Sequence, residues 1–327
     1  MKLSLDIPIP RLERGVDYHS CILLLGSCFA SNVGERFLQA RFNADVNPFG
    51  VLFNPYSVLD TMERIVRRKH FTSSDFFESD GRYLSLSLHS DHSYPDEETA
   101  LRQVNGLVDA LHEKAKGLTH VFYTFGTAEV FRYLPTGEIC ANCHKVSQKY
   151  FSKERMAAEE IVGMARRVES LLRTINPDVI VIYTVSPVRY LSEGALGNSA
   201  SKGTLFCAIE ELADGEKNVY LPAYEVVMDE LRDYRFFGDD MVHPNTLAVE
   251  YLWQKMGGVL FSADTRRTME QVMAIVRDAA HRPFNPQGEQ YRRFCRAALD
   301  KITALKERFP GMDFSREERF FREGDRT

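Results

Sequence analysis

The sequence lacks several features that would place it in particular classes of protein. No stretch approaches the ~18–20 apolar residues that a membrane-spanning helix needs. Residues 1–20 contain no apolar core of a secretory signal, so we expect a cytoplasmic protein without a membrane span. Basic residues number 41 against 46 acidic ones, a net charge of -5. Because a nucleic-acid-binding surface must neutralise phosphates, this balance argues against a general nucleic-acid binder.

Cysteine is also scarce, and its six positions form no disulfide framework. In a chain of 327 residues, such scattered cysteines are typical of reduced thiols. Cys140 and Cys143 form a C-x-x-C pair, but no second pair stands at the spacing of a structural zinc site. The segment 26–34 lacks the lysine and the glycine spacing of a phosphate-binding loop or a dinucleotide fingerprint. We therefore expect neither a metal nor a cofactor.

What the sequence does contain is an alternation of apolar strands and amphipathic helices. One helical pattern opens with Asn54 as its cap and Pro55 at the first helical position, and another has Ser152 as its cap. This alternation predicts an α/β fold with three α/β/α layers, in which a parallel sheet is covered by helices on both faces. Short apolar runs predict strands at 21–26, 119–126 and 178–187, with weaker ones at 44–50 and 218–222.

Three segments depart from this alternation. Residues 71–100 predict an insertion with a short strand or hairpin. Residues 131–150 predict a long loop, with or without a hairpin, of the kind that often carries function. After about residue 262 the sequence is helix-only and heavily charged. We therefore expect a main domain at 1–262 and a helical extension at 263–327, a pair of helices packed on it. Its last residues, from 316 onward, are expected to fray.

Nucleophilic and acid–base residues follow the predicted strands at their carboxyl ends, where open parallel sheets bind ligands. Ser27 stands at the start of a helix, where its N–H group and the helix dipole favour developing negative charge. A catalytic serine needs a base within hydrogen-bond reach, and the base needs an orienting group. Asp240 and His243, three residues apart, are candidates for orienter and base in the manner of a catalytic triad.

Cys28, beside Ser27, is a second candidate nucleophile. A cysteine is more often a small buried hydrophobe than a reactive thiol. Its position one residue past the serine predicts that its side chain turns into the helix packing. A helix N-terminus also activates thiols. The sequence favours Ser27 as the attacking group, with Cys28 as the alternative.

These residues stand in blocks that resemble a known family. Residues 26–30 read GSCFA, the signature after which the GSCFA family is named, and "NPFGVLFNP", "TFGTAEVFRY", "NCHK", "SPVRYL", "SASKGTL" and "RDYRFFGDDMVHPN" are similar to that family's other blocks. The family resembles the SGNH/GDSL-like hydrolase superfamily, which has a flavodoxin-like three-layer fold. The resemblance implies Ser27 as nucleophile, Asp240 and His243 as its partners, and Gly50 as a backbone oxyanion donor.

The sequence departs from the superfamily pattern at one position. The usual third block places an asparagine amide in the oxyanion hole, whereas this chain has Ala128 there. Losing one oxyanion donor typically costs ~10²–10³ in rate. Arg189 and Lys202 offer positive charge to a carboxylate or to a phosphate-bearing acyl donor, although an exposed salt bridge is the ordinary role of such residues. The candidates for oxyanion or substrate binding are Gly50, Gly126, Thr127, Asn142, His144, Lys145, Arg189 and Lys202.

Several interpretations of the chemistry stay open. The resemblance implies a serine-dependent esterase or acetylesterase acting on a carbohydrate or another small ester. The same Ser27 site would also suit an O-acyltransferase. The alanine at position 128 favours a catalytically inactive binding module on the same fold. A metal-dependent hydrolase that uses His243, Asp240 and the loop histidines His89 and His92 is a further alternative.

Overall fold

A five-stranded parallel sheet forms the centre of the computed structural model, which describes residues 4–280 and 285–326. Every neighbouring pair of strands is parallel. Counted along the chain, the spatial order is 2-1-3-4-5, which is the flavodoxin-like order. From one edge to the other, the strands are β10 (Asn218–Tyr220), β9 (Ile180–Val185), β5 (His120–Phe125), β1 (Cys21–Gly26) and β2 (Asn43–Val46).

Alternation along the strands divides the core into two layers, and this confirms the predicted α/β/α architecture. In β1, Leu23 and Leu25 pack into one layer, while Ile22 and Leu24 pack into the other. The first layer is completed by α2 (Pro55–Arg67), α3 (Glu97–Ala115), α4 (Ala158–Ile175) and α5 (Gly194–Leu212). The second is completed by α1 (Cys28–Gln39), α6 (Ala223–Glu225), α7 (Thr246–Leu260), α8 (Ala263–Ala280), α9 (Glu289–Arg308) and α10 (Ser315–Arg326).

The start of α2 follows the predicted signal. The side-chain oxygen of Asn54 accepts the N–H of Ser57 at 2.8 Å, and Pro55 occupies the first helical position. An asparagine cap satisfies an N–H that the helix leaves unpaired, and the proline ring is preorganised for that position. The cap and the proline fix the start of α2, which lies after β2 at the carboxyl edge of the sheet.

The predicted cap at Ser152 is wrong, because residues 151–155 form a strand. That strand, β8 (Phe151–Arg155), pairs antiparallel with β6 (Glu129–Tyr133), which also pairs with β7 (Glu138–Cys140). Within 131–150, the chain forms the hairpin that the sequence allowed, from β6 and β7, and residues 141–150 connect it to β8. Strand pairing claims residues 151–155 and leaves α4 to begin at Ala158.

The insertion at 71–100 contains the expected hairpin. Its strands are β3 (Phe77–Ser79) and β4 (Arg82–Leu84), which pair antiparallel. Helix α3 begins at the end of the insertion, where the Asp96 carboxylate accepts the N–H of Thr99 at 2.7 Å. The hairpin and the three-stranded sheet lie outside the central sheet.

The C-terminal part is helical, but its described residues form three helices rather than the expected pair. Fraying from residue 316 onward is also wrong, because α10 occupies Ser315–Arg326 and buries Phe321 completely. The division at residue 262 stays a prediction. Residues 1–3, 281–284 and 327 of the two expected units lie outside the described residues. Within the described ranges, no helix has the length and apolar character to cross a membrane.

Candidate active site

The candidate site lies at the carboxyl ends of β1 and β5. The chain order reverses between these neighbouring strands, which makes this edge the topological switch point where α/β sheets bind ligands. Gly26 has φ 148, and a Cβ there would collide with the carbonyl oxygen of Thr124. Only glycine tolerates that approach. A Cβ on Gly126 would lie 3.3 Å from the Cβ of Ser27, so the turns after β1 and β5 lie side by side.

Ser27 is the N-cap of α1, and its side chain is buried. It is only 1% exposed, and its hydroxyl has no hydrogen-bond partner among residues 4–280 and 285–326. A buried polar group without a partner costs roughly 1–3 kcal/mol. An unsatisfied buried group in a native fold requires an explanation, and a catalytic role is one such explanation. The hydroxyl lies at the amino end of a helix, where the dipole favours negative charge.

Asp240 and His243 form the pair that their spacing predicts. The Nδ1 of His243 lies 2.6 Å from Oδ2 of Asp240, whose Oδ1 accepts the N–H of Val242 at 2.9 Å and of His243 at 3.0 Å. Hydrogen bonds from these two backbone N–H groups and from the imidazole lower the pKa of Asp240 to about 2. The carboxylate is therefore ionised at neutral pH. With Nδ1 bonded to it, Nε2 is the nitrogen left to accept a proton.

The pair does not contact Ser27 in this structure. The side chains of His243 and Asp240 are 49% and 52% exposed, whereas Ser27 is buried. Asp240 is nevertheless close enough to the start of α1 to contribute to the raised pKa of Cys28. Catalytic hydrogen bonds are often long before substrate binds. Asp240 thus lies within electrostatic range of the start of α1, while the Ser27 hydroxyl has no hydrogen bond to His243 in the described part of the chain.

Burial is the largest cause of the raised pKa of the Cys28 thiol. Its own N–H and that of Phe29 act in the opposite direction but do not outweigh burial. A thiolate is the reactive form of cysteine. The site therefore favours a packed thiol at this position over an activated nucleophile.

Two N–H groups that the sequence suggested for the oxyanion are already occupied. The N–H of Ser27 donates to the Thr124 carbonyl at 3.1 Å, because the ladder between β1 and β5 continues past Gly26. The N–H of Gly50 donates to the Asn47 carbonyl at 2.7 Å and closes a tight turn. The oxyanion roles of these two groups stay predictions. Neither N–H is available to an oxyanion unless these bonds open.

Asn47, which sequence reasoning did not single out for a role, organises the same edge. Its Oδ1 accepts the N–H of Gly26 at 2.8 Å, and its Nδ2 donates to Oγ of Ser31 at 2.8 Å. The residue has φ 43, a conformation that asparagine tolerates better than most residues. Its place before a proline at the end of a strand is the signal that marks such a turn.

Lys202 is buried beneath the site rather than exposed on it. Its Nζ donates to the carbonyls of Gly126 and Ser186 at 2.6 Å each. Burial lowers the pKa of Lys202 to about 7. No carboxylate in the described part of the chain forms an ion pair with it. The lysine therefore ties together the turns after β5 and β9.

The loop at residue 128 is held by hydroxyl groups. Oγ of Ser201 lies 2.9 Å from Oγ1 of Thr127 and accepts the N–H of Ala128 at 2.7 Å. Thr127 lines a cavity of about 280 Å³ together with Phe53 and Asn142. Thr127 and Asn142 thus share one cavity wall, as candidates for substrate contact require.

The remaining candidates are dispersed. His144, in the segment 131–150, is buried against the insertion, where its Nε2 lies 2.6 Å from the Ser85 carbonyl oxygen. The ring is therefore bonded to the insertion, and its site-lining role stays a prediction. Arg189 lines a different cavity, beside Met241. No group of three or more potential metal ligands occurs within residues 4–280 and 285–326.

Comparison with known sequences covers most of the chain. The model of the GSCFA family matches residues 21–256, and that of the GSCFA domain protein, C-terminal domain, matches residues 272–327. No curated protein gives a significant match. The matching solved structures include the crystal structure of a carbohydrate esterase family 3 from Talaromyces cellulolyticus, 13% identical, with a TM-score of 0.30 over 77% of this chain and 98% of that one.

Proposed function

The chain belongs to the GSCFA family, and from this premise we propose that it is a serine-dependent acyl hydrolase of SGNH type. Its substrate would be a carbohydrate ester or another small ester. The observation that carries the proposal is the Ser27 hydroxyl, which is buried without a partner at the amino end of α1. The nearby Asp240–His243 pair, with Nε2 left to accept a proton, supports the same reading.

In the proposed reaction, Oγ of Ser27 attacks the carbonyl carbon of the ester. Nε2 of His243 takes the hydroxyl proton, and Asp240 stabilises the resulting imidazolium through Nδ1–H. Collapse of the tetrahedral intermediate breaks the bond to the alcohol, which leaves with that proton. Water then attacks the acyl carbon while Nε2 of His243 takes one of its protons. Collapse of the second tetrahedral intermediate breaks the bond between the acyl carbon and Oγ, His243 returns the proton to Ser27, and the carboxylic acid leaves.

This mechanism needs the turn at 238–243 to approach Ser27. The turn is closed by the N–H of Gly238, which donates to the His243 carbonyl at 2.8 Å. Met241, at its tip, has φ 57 and is exposed. Because Asp240 and His243 are bonded within this turn, they would move together and keep their mutual geometry. Substrate-induced closure of this kind commonly completes a catalytic site.

The oxyanion would be stabilised at the start of α1. The N–H of Cys28, the residue after the nucleophile, lies in the first turn, where a helix leaves its N–H groups without intrahelical partners. The buried Lys202 supplies a second contribution, since its charge reaches Cys28 and acts to lower the pKa of that thiol. We propose that these groups replace the asparagine amide that Ala128 cannot provide.

A catalytically inactive binding module is the second candidate, and Ala128 with the two occupied N–H groups favours it. O-acyl transfer is an alternative outcome of the same acyl-serine, with another hydroxyl replacing water. The two classes differ in one property. An enzyme of either kind must acylate Ser27, whereas a binding module need not.

Intact-mass spectrometry after incubation with a serine-directed fluorophosphonate tests the proposal. The expected result is a single adduct on the wild-type chain that is lost in Ser27→Ala and His243→Ala and retained in Cys28→Ala. Thermal unfolding of each variant confirms that it is folded. An adduct that persists in Ser27→Ala would refute the assignment, and a wild-type chain that takes no adduct would favour the binding module.

A further inference from the structure

A cavity of about 340 Å³ opens beside the turn that carries Asp240 and His243. We call it the arginine cavity, because Arg189 and Arg232 are among the residues that line it. Met241, which lies between the catalytic candidates in sequence, contributes to its wall. An occupant of the cavity would therefore touch the turn that the proposed reaction brings toward Ser27. The residues that line the cavity include Arg189, Tyr224, Asp229, Arg232, Tyr234 and Met241.

Neither arginine is neutralised by the protein. Within residues 4–280 and 285–326, neither Arg189 nor Arg232 forms an ion pair with a carboxylate. The Arg189 guanidinium donates instead to the sulfur of Met228 at 3.7 Å. Neighbouring Arg235 shows the contrast, because it pairs with Asp233 at 2.9 Å. Arginine presents five N–H donors in a planar fork that suits carboxylate and phosphate groups.

The carboxylates that line the cavity do not balance the positive charge of its two arginines. Asp233 lines it too, but its oxygens accept the N–H and the guanidinium of Arg235. Asp229 is the other acidic residue of the lining, and it contributes to the raised pKa of Tyr224, for which burial is the larger cause. Two unpaired arginines therefore face one aspartate. The balance favours an anionic occupant.

The same cavity offers aromatic faces. Tyr234 is 64% exposed, and its ring centroid lies 5.8 Å from that of Phe237. Tyr224 lies deeper, within reach of both Arg189 and Lys202. Tyrosine combines a flat apolar face with a polar hydroxyl. An exposed ring beside cationic groups suits a sugar ring that carries an acidic substituent better than it suits a bare inorganic ion.

We propose that the arginine cavity binds a sugar that bears a carboxylate or phosphate, with Arg189 and Arg232 on the anion and Tyr234 on the ring. In the enzyme, this sugar would be the alcohol part of the ester. That assignment rests on the proposed function, while the binding site itself stands on the cavity. The substrate class then becomes an acylated acidic or phosphorylated sugar.

Isothermal titration calorimetry with three probes tests the site: glucuronate, glucose 6-phosphate and uncharged glucose. We expect at least one of the two anions to bind wild type at least 10-fold more tightly than glucose. The preferred anion distinguishes a carboxylate site from a phosphate site. Arg189→Gln and Arg232→Gln should each weaken that binding by about 10-fold or more, as expected when a charged hydrogen bond of roughly 1.5–3 kcal/mol is lost.

Arg293→Gln, which changes an exposed arginine paired with Glu289 on α9, is the matched control and should bind as wild type does. Equal binding of glucose and the anions, absence of anion binding, or unchanged binding in both cavity variants would overturn the site. Fluorophosphonate labelling reports separately on Ser27. Labelling without anion binding would contradict the proposed sugar site and support the hydrolase. Anion binding without labelling would support the sugar site and contradict the hydrolase.

Discussion

The Asp240 carboxylate is the charge on which the proposed base depends. In Asp240→Asn, an amide N–H₂ or carbonyl would face Nδ1 of His243, and the imidazolium would lose its counter-charge. We expect the rate of fluorophosphonate labelling at Ser27 to fall by about 10²–10⁴-fold, the usual contribution of general-base catalysis. The exposed pair contributes little to stability, so the melting temperature should change little.

Asp239→Asn is the control for that substitution, since it removes one negative charge from the same turn without touching His243. Its labelling rate should equal that of wild type. Equal rates in Asp240→Asn and wild type would instead show that Asp240 does not orient the base. Because its pKa is about 2, the carboxylate stays ionised throughout a comparison made between pH 5 and pH 9.

Lys202 gives a prediction about stability and pH. Its pKa is about 7 in the folded chain against an ordinary value of 10.5, so between these pH values the unfolded chain holds a proton that the folded chain has lost. Stability therefore rises with pH across this window, and below pH 7 the cost of the buried charge is present in full. In Lys202→Met, this contribution disappears.

Thermal unfolding at pH 7 and pH 9.5 checks it. At pH 9.5, Lys202→Met should be less stable than wild type, because each of two buried carbonyl oxygens loses its donor at a cost of about 1–3 kcal/mol. At pH 7, removal of the buried charge offsets this loss. The free energy of unfolding of wild type minus that of Lys202→Met should be larger at pH 9.5 than at pH 7. Lys217→Met, the control, replaces an exposed lysine. Its stability relative to wild type should be the same at both pH values. A Lys202→Met difference from wild type that is the same at both pH values would contradict the buried charge.

The residues of the site differ in how far the sequence predicts them. Asp240 and His243 form the expected pair because the contact is local and needs only their spacing. Lys202 was expected to face an anion, yet it is buried, because its partners are carbonyls at the ends of distant strands. Gly50 was expected to offer its N–H to an oxyanion, but this group closes a four-residue turn with Asn47. The sequence did not contain the long-range partners of Lys202, and it marked the turn at 47–50 without showing which N–H group closes it.

Among the elements, the turn between β1 and α1 is the one that positions Ser27, and Asn47 holds it. In Asn47→Ala, the N–H of Gly26 and the hydroxyl of Ser31 each lose a partner, and alanine must adopt the left-handed conformation. We expect the free energy of unfolding to fall by about 2–5 kcal/mol, from roughly 1–3 for lost hydrogen bonding and 1–2 for the backbone. Urea denaturation measures the change.

Asn43→Ala is the matched control, because Asn43 is exposed at the start of β2. Surface substitutions of this kind are usually within about 0.5 kcal/mol of wild type. If Asn47→Ala cost no more than Asn43→Ala, the two hydrogen bonds would not be what holds the turn. Labelling of Ser27 should also slow in Asn47→Ala, since the hydroxyl depends on that turn for its position.

Elements whose signal is local were predicted, and those whose signal is tertiary were not. The strands β1, β5 and β9 are continuous apolar runs, because both of their faces are buried. Residues 151–155 have a polar composition that fits a helix start as well as an edge strand, and pairing with β6 decides between them. Intrinsic strand preference is context-dependent for this reason.

At the scale of the whole molecule, the C-terminal helices share their core with the main sheet. Phe321 of α10 belongs to the same apolar cluster as Phe37 of α1 and Trp253 of α7. In addition, Arg41 forms an ion pair with the buried Glu317. The position of the α10 residues at the end of the sequence suggested fraying, but a terminal helix is held in place when one of its faces carries a buried apolar stripe.

We therefore expect the chain to unfold in one transition, although its sequence suggests two units. Phe321→Ala should lower the free energy of that transition by about 3–5 kcal/mol, the usual cost of removing a buried phenylalanine. Phe320→Ala, at a partly buried neighbour, should cost less. Urea denaturation followed by circular dichroism, with Ser27 labelling measured at each urea concentration, tests both statements. If the helices were a separate unit, an early transition would move in Phe321→Ala while Ser27 labelling persisted beyond it. If they are one unit with the sheet, the loss of labelling and the loss of helix will move together, because Ser27 begins the helix against which that shared core packs.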